Sequence, residues 1–462
     1  SAALWIDSND PDLQVGVGQI ICTFPAPPAE GQACVSISGF SAESSIEVVP
    51  SELDFGVVTV GCNSPELRVT VYNLGTEPLN VTDIYLENEP DPNFEIMFAP
   101  GTPHVLQGGS SFEIRLRYHP QDTNAHRSNL FIQSDASNVD LLAVPLFGRG
   151  TNISDQTDVF HQPDKVRSDV LFVVDNSGSM GEEQEALADE FDAFINHALT
   201  LDVDFHIGVT TTEVNDPETG QGEPPRDIYP GVLVAAPNRP KIITNATPDI
   251  PGAFADNVHV GLCCSDEQEA GLEAAWMALT PPEIDDPTKN GGFLREDAKL
   301  YIICVSDEQD QSRGEPDFYV DFFSSIKGYR NTEMMKVSAI VGDSPNGCEG
   351  AGGSAGSGSR YIDVSNRTGG VFESICTNNW SQALQNLGLD AFAAIREFPL
   401  SRPADPSTIT VTINGSPVPQ ASSPGGANGW TYYPDTNSIF FGDNYVPDKG
   451  DRIEVHYTAE CL

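Results

Sequence analysis

The sequence predicts a multidomain protein with an all-β sandwich, then an α/β doubly wound domain, then a small all-β module. Its 462 residues exceed the size of one ordinary domain. Residues 43–150 place apolar side chains at alternate positions between Gly, Pro and Asn turns, the pattern of a sandwich. From residue 165 onward, strand-like runs alternate with helix-like segments, as in a parallel sheet covered by helices.

The charge of the chain limits its partners. There are 68 acidic residues against 23 Lys and Arg, which gives a formal net charge of −45. Such a surface repels phosphate backbones, so we expect no nucleic-acid partner, whereas cations and cationic partners suit it. Since no apolar run approaches the roughly 18 residues that cross a bilayer, we also expect no direct membrane span.

The nine cysteines favour an oxidising compartment. No CxxC pair occurs, and no His stands at zinc-ligand spacing from a Cys pair, so disulfides are the better interpretation. We expect Cys348 to pair with Cys376 and close a Gly/Ser loop, and Cys22 to pair with Cys34. Cys304 lies inside an apolar run and is expected to be a buried free thiol. An odd count leaves at least one thiol free or paired to another chain.

An internal repeat marks the first 42 residues. The segment at residues 4–10 (LWIDSND) is echoed at residues 130–135 (LFIQSD), and a polar turn and a second apolar strand follow each copy, at 15–22 and 141–147. We therefore interpret residues 1–42 as the terminal hairpin of a truncated sandwich repeat plus a linker. The chain begins with Ser1, so we expect a processed or partial product.

The sandwich at residues 43–150 is predicted from period-two segments at 46–49, 67–72, 79–86 and 112–118. Its short motifs are Leu53-Asp54-Phe55-Gly56, Tyr72-Asn73-Leu74-Gly75 and Tyr118-His119-Pro120, with Gly148-Arg149-Gly150 at the end. These motifs resemble the ASH/choice-of-anchor-D family of immunoglobulin-like modules. The resemblance implies an immunoglobulin-like spacer or interaction module.

The α/β domain is placed at residues 160–396. The continuous apolar run at 169–174 predicts a strand buried on both faces of a sheet. One amphipathic helix is predicted over 182–199 because its apolar residues recur at helical spacing. Further strand and helix candidates alternate to residue 392, which predicts a doubly wound sheet with a binding crevice at the carboxyl ends of its strands. These candidates lie at 205–211, 269–279, 300–306, 318–327, 337–341 and 380–392.

Oxygen ligands cluster at the predicted crevice. Asp175, Ser177 and Ser179 follow the first buried strand as Asp-x-Ser-x-Ser, and a second strand delivers Asp307 to the same edge. One carboxylate and two hydroxyls on a tight loop are hard donors that suit Mg²⁺, and Ca²⁺ or Mn²⁺ can also be accommodated. The pattern resembles the metal-ion-dependent adhesion site of a von Willebrand factor A (vWA) domain, whose sheet is Rossmann-like. That resemblance implies that these four residues hold a divalent cation.

One departure from this family concerns a further ligand. The family usually adds a Thr from the loop before a helix, whereas this sequence offers Ser265, Asp266 and Glu267 after a Cys-Cys pair. Any of the three could contribute an oxygen, and all three could instead cap the helix that follows. Glu308 and Asp310 crowd the same edge, where they either hold a second ion or solvate the loop.

The C-terminal module is placed at residues 397–462. Short strands are predicted at 408–413, 430–433, 438–441 and 452–457, around turn signals such as Asn414-Gly415. The module resembles the tail that follows A domains in secreted bacterial proteins, through Gly429-Trp430, Asn437-Ser438-Ile439 and Val446-Pro447. About 65 residues is small for a free-standing sandwich, so we expect it to pack on its neighbour or be stapled by Cys461.

Two functions of different classes follow. The first is metal-dependent adhesion at a bacterial cell surface or in an extracellular or periplasmic assembly, where a protein ligand's exposed Asp or Glu completes the ion's coordination. The second is a structural subunit of an extracellular or envelope filament or ring, which contacts other subunits and in which the ion is only structural. We do not expect an enzyme, because no acid–base pair or activated nucleophile has a structural context.

Overall fold

The protein is described from a computed structural model over residues 2–7, 32–37, 43–88, 90–215, 218–221, 226–262, 269–350 and 353–462. In these ranges the strands are β1 (Ala2–Asp7), β2 (Gln32–Ile37), β3 (Ile46–Val49), β4 (Leu53–Thr59), β5 (Leu67–Asn73), β6 (Leu79–Leu86), β7 (Phe94–Phe98), β8 (His104–Leu106), β9 (Ser111–Tyr118), β10 (Ala125–Ser134), β11 (Leu141–Thr151), β12 (Asp155–His161), β13 (Arg167–Val174), β14 (Asp204–Thr211), β15 (Glu218–Gln221), β16 (Arg226–Ile228), β17 (Ile243–Thr244), β18 (Lys299–Ser306), β19 (Met335–Val341), β20 (Cys348–Gly350), β21 (Gly353–Ala355), β22 (Phe372–Ser374), β23 (Glu397–Pro399), β24 (Thr410–Ile413), β25 (Ser416–Val418), β26 (Trp430–Tyr433), β27 (Ser438–Phe441) and β28 (Arg452–Thr458). The helices are α1 (Gly181–Asp189), α2 (Phe191–Thr200), α3 (Ile250–Val258), α4 (Gly271–Ala278), α5 (Pro316–Lys327), α6 (Ser359–Arg367) and α7 (Trp380–Ala391).

The first strands among the described residues, β1 and β2, form an antiparallel pair. The second strand predicted for this region, residues 15–22, lies outside the described residues, as does Cys22 of the predicted Cys22–Cys34 pair.

Two facing sheets follow, one of five strands in the order β4-β11-β10-β6-β8 and one of four in the order β3-β5-β9-β7. Apolar side chains from both sheets share one core, in which Val69, Ile114, Leu130 and Ile132 are fully buried. The alternation seen in the sequence is the reason: every second residue of these strands points inward and excludes water. The predicted strands at 46–49 and 79–86 coincide with β3 and β6.

A six-stranded sheet in the order β17-β14-β13-β18-β19-β22 occupies the middle of the chain. Its strands pair in parallel except for the short edge strand β17. Alternate side chains of β13 enter two different apolar clusters, Phe172 in one and Leu171 in the other, so the strand is buried on both faces. Because β13 and β18 are parallel neighbours, with Val174 opposite Val305, the residues that follow them meet at one sheet edge.

The last part of the chain forms two small sheets around a common apolar core. One of them, in the order β12-β28-β24-β25, includes β12, which lies before the six-stranded sheet in the sequence. The segment from β13 to α7 is therefore inserted, in sequence, between two strands that pair with each other.

The predicted fold class is wrong for the chain as a whole. The described structure is mostly β, with 35% strand, 19% helix and many small sheets, and a vWA domain with Rossmann-like helices is not evident in it. Two features explain the difference. The strand β14 is followed by the short strands β15 to β17 before the next helix begins. The single helix predicted over 182–199 is two shorter ones, separated at Glu190.

Two disulfides join described residues, Cys62–Cys461 and Cys348–Cys376, the second being the pair that the sequence singles out. Cys304 is a buried free thiol. In the described part of the chain, no helix has both the length and the apolar character needed to cross a membrane. The disulfides are consistent with an extracellular or periplasmic location.

Candidate metal site

Asp175 is the centre of the candidate site. It follows β13 directly and its side chain is fully buried. One carboxylate oxygen, Oδ1, accepts a hydrogen bond of 2.7 Å from the backbone N–H of Ser177, and the other, Oδ2, accepts one of 2.6 Å from the hydroxyl of Ser306. Burial raises the pKa of Asp175 to about 6; the two serines oppose this shift and the charge of Asp307 adds to it.

The two serines of the motif lie on the same loop. The hydroxyl oxygens of Ser177 and Ser179 are 3.1 Å apart, and Ser179 is exposed. The loop is held from behind by Gln184, whose amide donates to the carbonyl oxygens of Asp175 at 2.9 Å and of Gly261 at 3.1 Å. The hydroxyls are thus presented at the surface by a loop that the protein core fixes.

Asp307 stands at the end of the neighbouring strand β18. Its side chain is 8% exposed, and its Oδ1 atom is buried without a hydrogen-bond partner. An unpaired buried carboxylate is costly, because the protein has removed water from the charge and supplied no donor in return. A cation at this position would remove that cost.

Two glutamates that the sequence analysis did not identify complete the acidic environment. Glu183 of α1 is 6% exposed and its Oε2 atom is buried without a partner; its pKa is raised by burial, by Asp307 and by other neighbouring carboxylates. Glu269 is 7% exposed, and burial together with the charges of Asp175 and Glu308 raises its pKa to about 7. Their positions in the sequence could have pointed to the site, because Glu183 lies one helical turn after the motif and Glu269 precedes α4.

The remaining candidates divide into two groups. Ser265, Asp266 and Glu267 lie outside the described residues. Asp310, one of the two acids expected either to bind a second ion or to solvate the loop, is buried and has protein donors at both carboxylate oxygens. It accepts hydrogen bonds from the backbone N–H of Leu272 at 3.1 Å and from Arg360 at 2.9 Å, so it holds α4 and α6 in place.

The donor set fits a hard divalent cation in chemistry. Asp175, Ser177, Ser179 and Asp307 offer carboxylate and hydroxyl oxygens, and the buried Oδ1 atom of Asp307 has no hydrogen-bond partner. Across the described ranges, no group of three or more His, Cys, Asp or Glu side chains is arranged to hold a metal ion. Any ion here therefore depends on the two serine hydroxyls as well as on the aspartates.

Comparisons with known proteins give only weak likenesses. No protein-family model and no curated protein matches the sequence. Among solved structures, a Porphyromonas gingivalis protein of unknown function matches at 16% identity and a TM-score of 0.21, over 27% of this chain and 60% of its own. An ASH/PapD-like domain of human CEP192 matches at 12% identity and a TM-score of 0.19, over 27% of this chain and 98% of its own. Proximal thread matrix protein 1 from the mussel byssus matches at 13% identity and a TM-score of 0.27, over 50% of this chain and 47% of its own. These values carry no functional conclusion.

Proposed function

We propose that this protein binds a protein ligand through a divalent cation held by Asp175, Ser177, Ser179 and Asp307. The observation that carries the proposal is the pair of aspartates at adjacent strand ends, one of which has a buried, unpartnered oxygen. The cation supplies an open coordination position, which an Asp or Glu carboxylate of the ligand fills. Mg²⁺ is the first candidate, with Ca²⁺ and Mn²⁺ as alternatives.

The charge of the chain explains why an ion is needed. At a formal charge of −45, the protein repels a ligand carboxylate. Burial is the main reason that the pKa of Asp175 is raised, and repulsion by the carboxylate of Asp307 adds to it. A divalent cation between them offsets both repulsions, so ligand binding should depend strictly on the ion.

Isothermal titration calorimetry with Mg²⁺, Ca²⁺ and Mn²⁺ tests the ion site. We expect one ion to bind per chain, more weakly in Ser179→Ala and not at all in Asp307→Asn. Asp285→Asn is the matched control, because Asp285 is an exposed aspartate away from the strand ends. The wild type failing to bind any of the three ions at millimolar concentration would overturn the proposal.

Binding of a ligand carboxylate, the second part of the proposal, is tested with a short acetylated and amidated peptide that contains one Asp. Binding should be measurable in the preferred ion and absent in EDTA. It should also be absent for the peptide with Asn in place of Asp. The disulfides suit a bacterial cell surface or another extracellular location, where ion and ligand would be encountered together.

A second candidate is a structural subunit of an extracellular or envelope assembly, in which the ion only stabilises the loops. The bond between Cys62 and Cys461 favours it, since it ties the sandwich to the end of the chain. In that case the ion raises the unfolding temperature, no carboxylate peptide binds, and the protein forms defined oligomers as its concentration rises. The two candidates are thus separated by the peptide experiment.

A further inference from the structure

The loop that follows α5 lies where three parts of the chain meet. This loop leads into β19 of the six-stranded sheet, and its Arg330 lines a cavity of about 60 Å³ together with Ser401 of the C-terminal module. The other lining residues, Asp54 among them, belong to the sandwich. Thr332 of the same loop donates a hydrogen bond of 2.7 Å to the carboxylate of Glu397 in the C-terminal module. A group bound in this cavity would therefore contact all three parts at once.

Arg330 brings a positive charge to this cavity without a partner for it. The residue is partly buried, and in the described part of the chain no carboxylate forms an ion pair with Arg330 and no oxygen accepts a hydrogen bond from its guanidinium. Burial lowers the pKa of Arg330, yet the group stays charged, since guanidinium groups do not lose their proton in proteins. Because a charge removed from water without a partner is costly, a bound anion would stabilise this arrangement.

Neither of the two nearby carboxylates supplies that anion. Asp54 lines the cavity, but it is exposed and its Oδ1 atom accepts a hydrogen bond of 2.8 Å from the backbone N–H of Gly56. Asp158 is buried behind Ser401 and accepts hydrogen bonds of 2.7 Å from its backbone N–H and 2.6 Å from its hydroxyl. The hydroxyl of Tyr457 donates to Asp158 at 2.8 Å. Both carboxylates thus have donors other than Arg330.

A second guanidinium adds to the positive potential of this junction. Arg402 is 3% exposed, and it donates to two neutral acceptors, the carbonyl oxygen of Ile153 and the hydroxyl of Thr59. Arg330 and Arg402 both lie near the hydroxyl of Tyr457. Two guanidinium groups therefore share the interior of the junction with one buried carboxylate, that of Asp158, in a chain whose formal net charge is −45.

We propose that the cavity binds a small inorganic anion, with chloride as the first candidate, and that this anion pairs with Arg330. The size of the cavity sets the class of ligand. Sites for organic ligands measure about 300–1,000 Å³, whereas one water takes about 30 Å³ of the liquid. A cavity of about 60 Å³ accommodates one monatomic anion and residual water. The bound anion joins the sandwich to the C-terminal module, and this role is independent of a cation at Asp175.

Thermal unfolding of the full chain tests the site, in buffers of constant ionic strength that exchange sodium gluconate for sodium chloride. Gluconate is an organic anion too large for the cavity, and equal ionic strength keeps general charge screening the same. We expect the unfolding temperature of the wild type to rise with chloride and to level off as the site fills, because chloride binds only the folded state. Arg330→Gln should weaken the apparent chloride affinity about tenfold. Arg149→Gln is the matched control, since Arg149 is an exposed arginine of the sandwich.

Chloride NMR gives a direct measure of binding. The excess width of the chloride signal, which reports ions exchanging with the protein, should fall in Arg330→Gln and stay unchanged in Arg149→Gln. Should Arg330→Gln not fold, Arg330→Lys keeps the charge and loses the planar fork of donors, so it should bind chloride more weakly than the wild type. Full chloride affinity in Arg330→Lys would then contradict the proposal.

Asp54→Asn separates the anion from the alternative that Arg330 pairs with Asp54 in solution. With chloride in the cavity, removing the charge of Asp54 should tighten chloride binding. A wild type that does not respond to chloride, or a response that Arg330→Gln retains in full, would overturn the inference. Asp54→Asn and Arg330→Gln destabilising the chain equally in both salts would also overturn it, because that result makes Asp54 the partner of Arg330.

Discussion

Cys62 and Cys461 are bonded to each other although 399 positions separate them in the sequence. The contact is reinforced by the backbone N–H of Asn63, which donates to the carbonyl oxygen of Leu462 at 3.1 Å. Arg402 adds a hydrogen bond of 2.8 Å to the carbonyl oxygen of Ile153 and one of 2.6 Å to the hydroxyl of Thr59. The sandwich and the last sheets are thereby joined directly, independently of the six-stranded sheet between them in sequence.

Removing this disulfide should destabilise the chain. The bond closes a very long loop, and loss of a native disulfide typically costs about 2–4 kcal/mol of unfolding free energy. We expect Cys461→Ser and the Cys62→Ser/Cys461→Ser double variant to unfold at lower temperature, by a similar amount, in differential scanning calorimetry. Equal unfolding temperatures for wild type and double variant would contradict this, and a much larger loss in the double than in the single variant would point to packing and not to the bond.

Asp321 should be a strong determinant of the contact between the sandwich and α5. It is 8% exposed and accepts hydrogen bonds from the hydroxyl of Tyr72 at 2.8 Å and from Arg68 at 2.9 Å. Asp321→Ala removes the 2.8 Å acceptor of Tyr72 and one of the two carboxylates that accept from Arg68, and hydrogen bonds to charged groups contribute about 1.5–3 kcal/mol each. We expect a loss of about 2–3 kcal/mol in urea unfolding. Glu113→Ala is the control, because Glu113 pairs with the same Arg68 at the exposed surface, where such pairs contribute about 0–1 kcal/mol.

Glu47 should make the stability fall as pH rises toward neutrality. Glu47 lies on β3, which packs against α5, and burial raises its pKa to about 7. A carboxyl group whose pKa is higher in the folded state binds more protons there. Its contribution is therefore complete below about pH 4.5 and is lost as pH rises through about 7. Each pKa unit corresponds to about 1.4 kcal/mol, so Glu47→Gln should gain about 1–3 kcal/mol over wild type at pH 8.

The check is urea unfolding of wild type and Glu47→Gln at several pH values between 4 and 8. The two should be nearly equal at pH 4 and diverge upward from there. Glu52→Gln, at an exposed position of the same region, should follow the wild type throughout. A constant difference between Glu47→Gln and wild type at every pH would show that packing, and not ionisation, causes the effect.

The sequence predicts local features of this molecule better than its overall class. Asp175 and Asp307 could be placed at one sheet edge because each follows a continuous apolar run, and parallel strands bring such ends together. The break at Glu190 could not be seen, since the apolar spacing continues through both α1 and α2. The prediction of the fold class was wrong because strand–helix alternation does not reveal how much of each segment between two strands is helical.

Contacts between residues that are far apart in the sequence could not be predicted either. Nothing local in the sequence pairs Cys62 with Cys461, because disulfide connectivity depends on which surfaces pack together. The pairing of β12 with β28 is equally non-local. Glu183 lies in the first turn of α1, where acidic residues are common in any helix. Its burial beside Asp307 is therefore visible only in the structure.

Asp307→Asn should have opposite effects on stability with and without the ion. Without an ion, the variant removes a buried negative charge that repels Asp175 and whose Oδ1 atom has no partner. We therefore expect Asp307→Asn to unfold at higher temperature than wild type in EDTA. With the preferred ion at 100 times its Kd, the wild type should gain about 2.7 kcal/mol and overtake the variant, which gains nothing. Thermal unfolding of both proteins in EDTA and in the ion measures this crossing. Asp285→Asn should behave as wild type in both conditions. If Asp307→Asn is less stable than wild type even in EDTA, Asp307 has a structural role that does not require an ion.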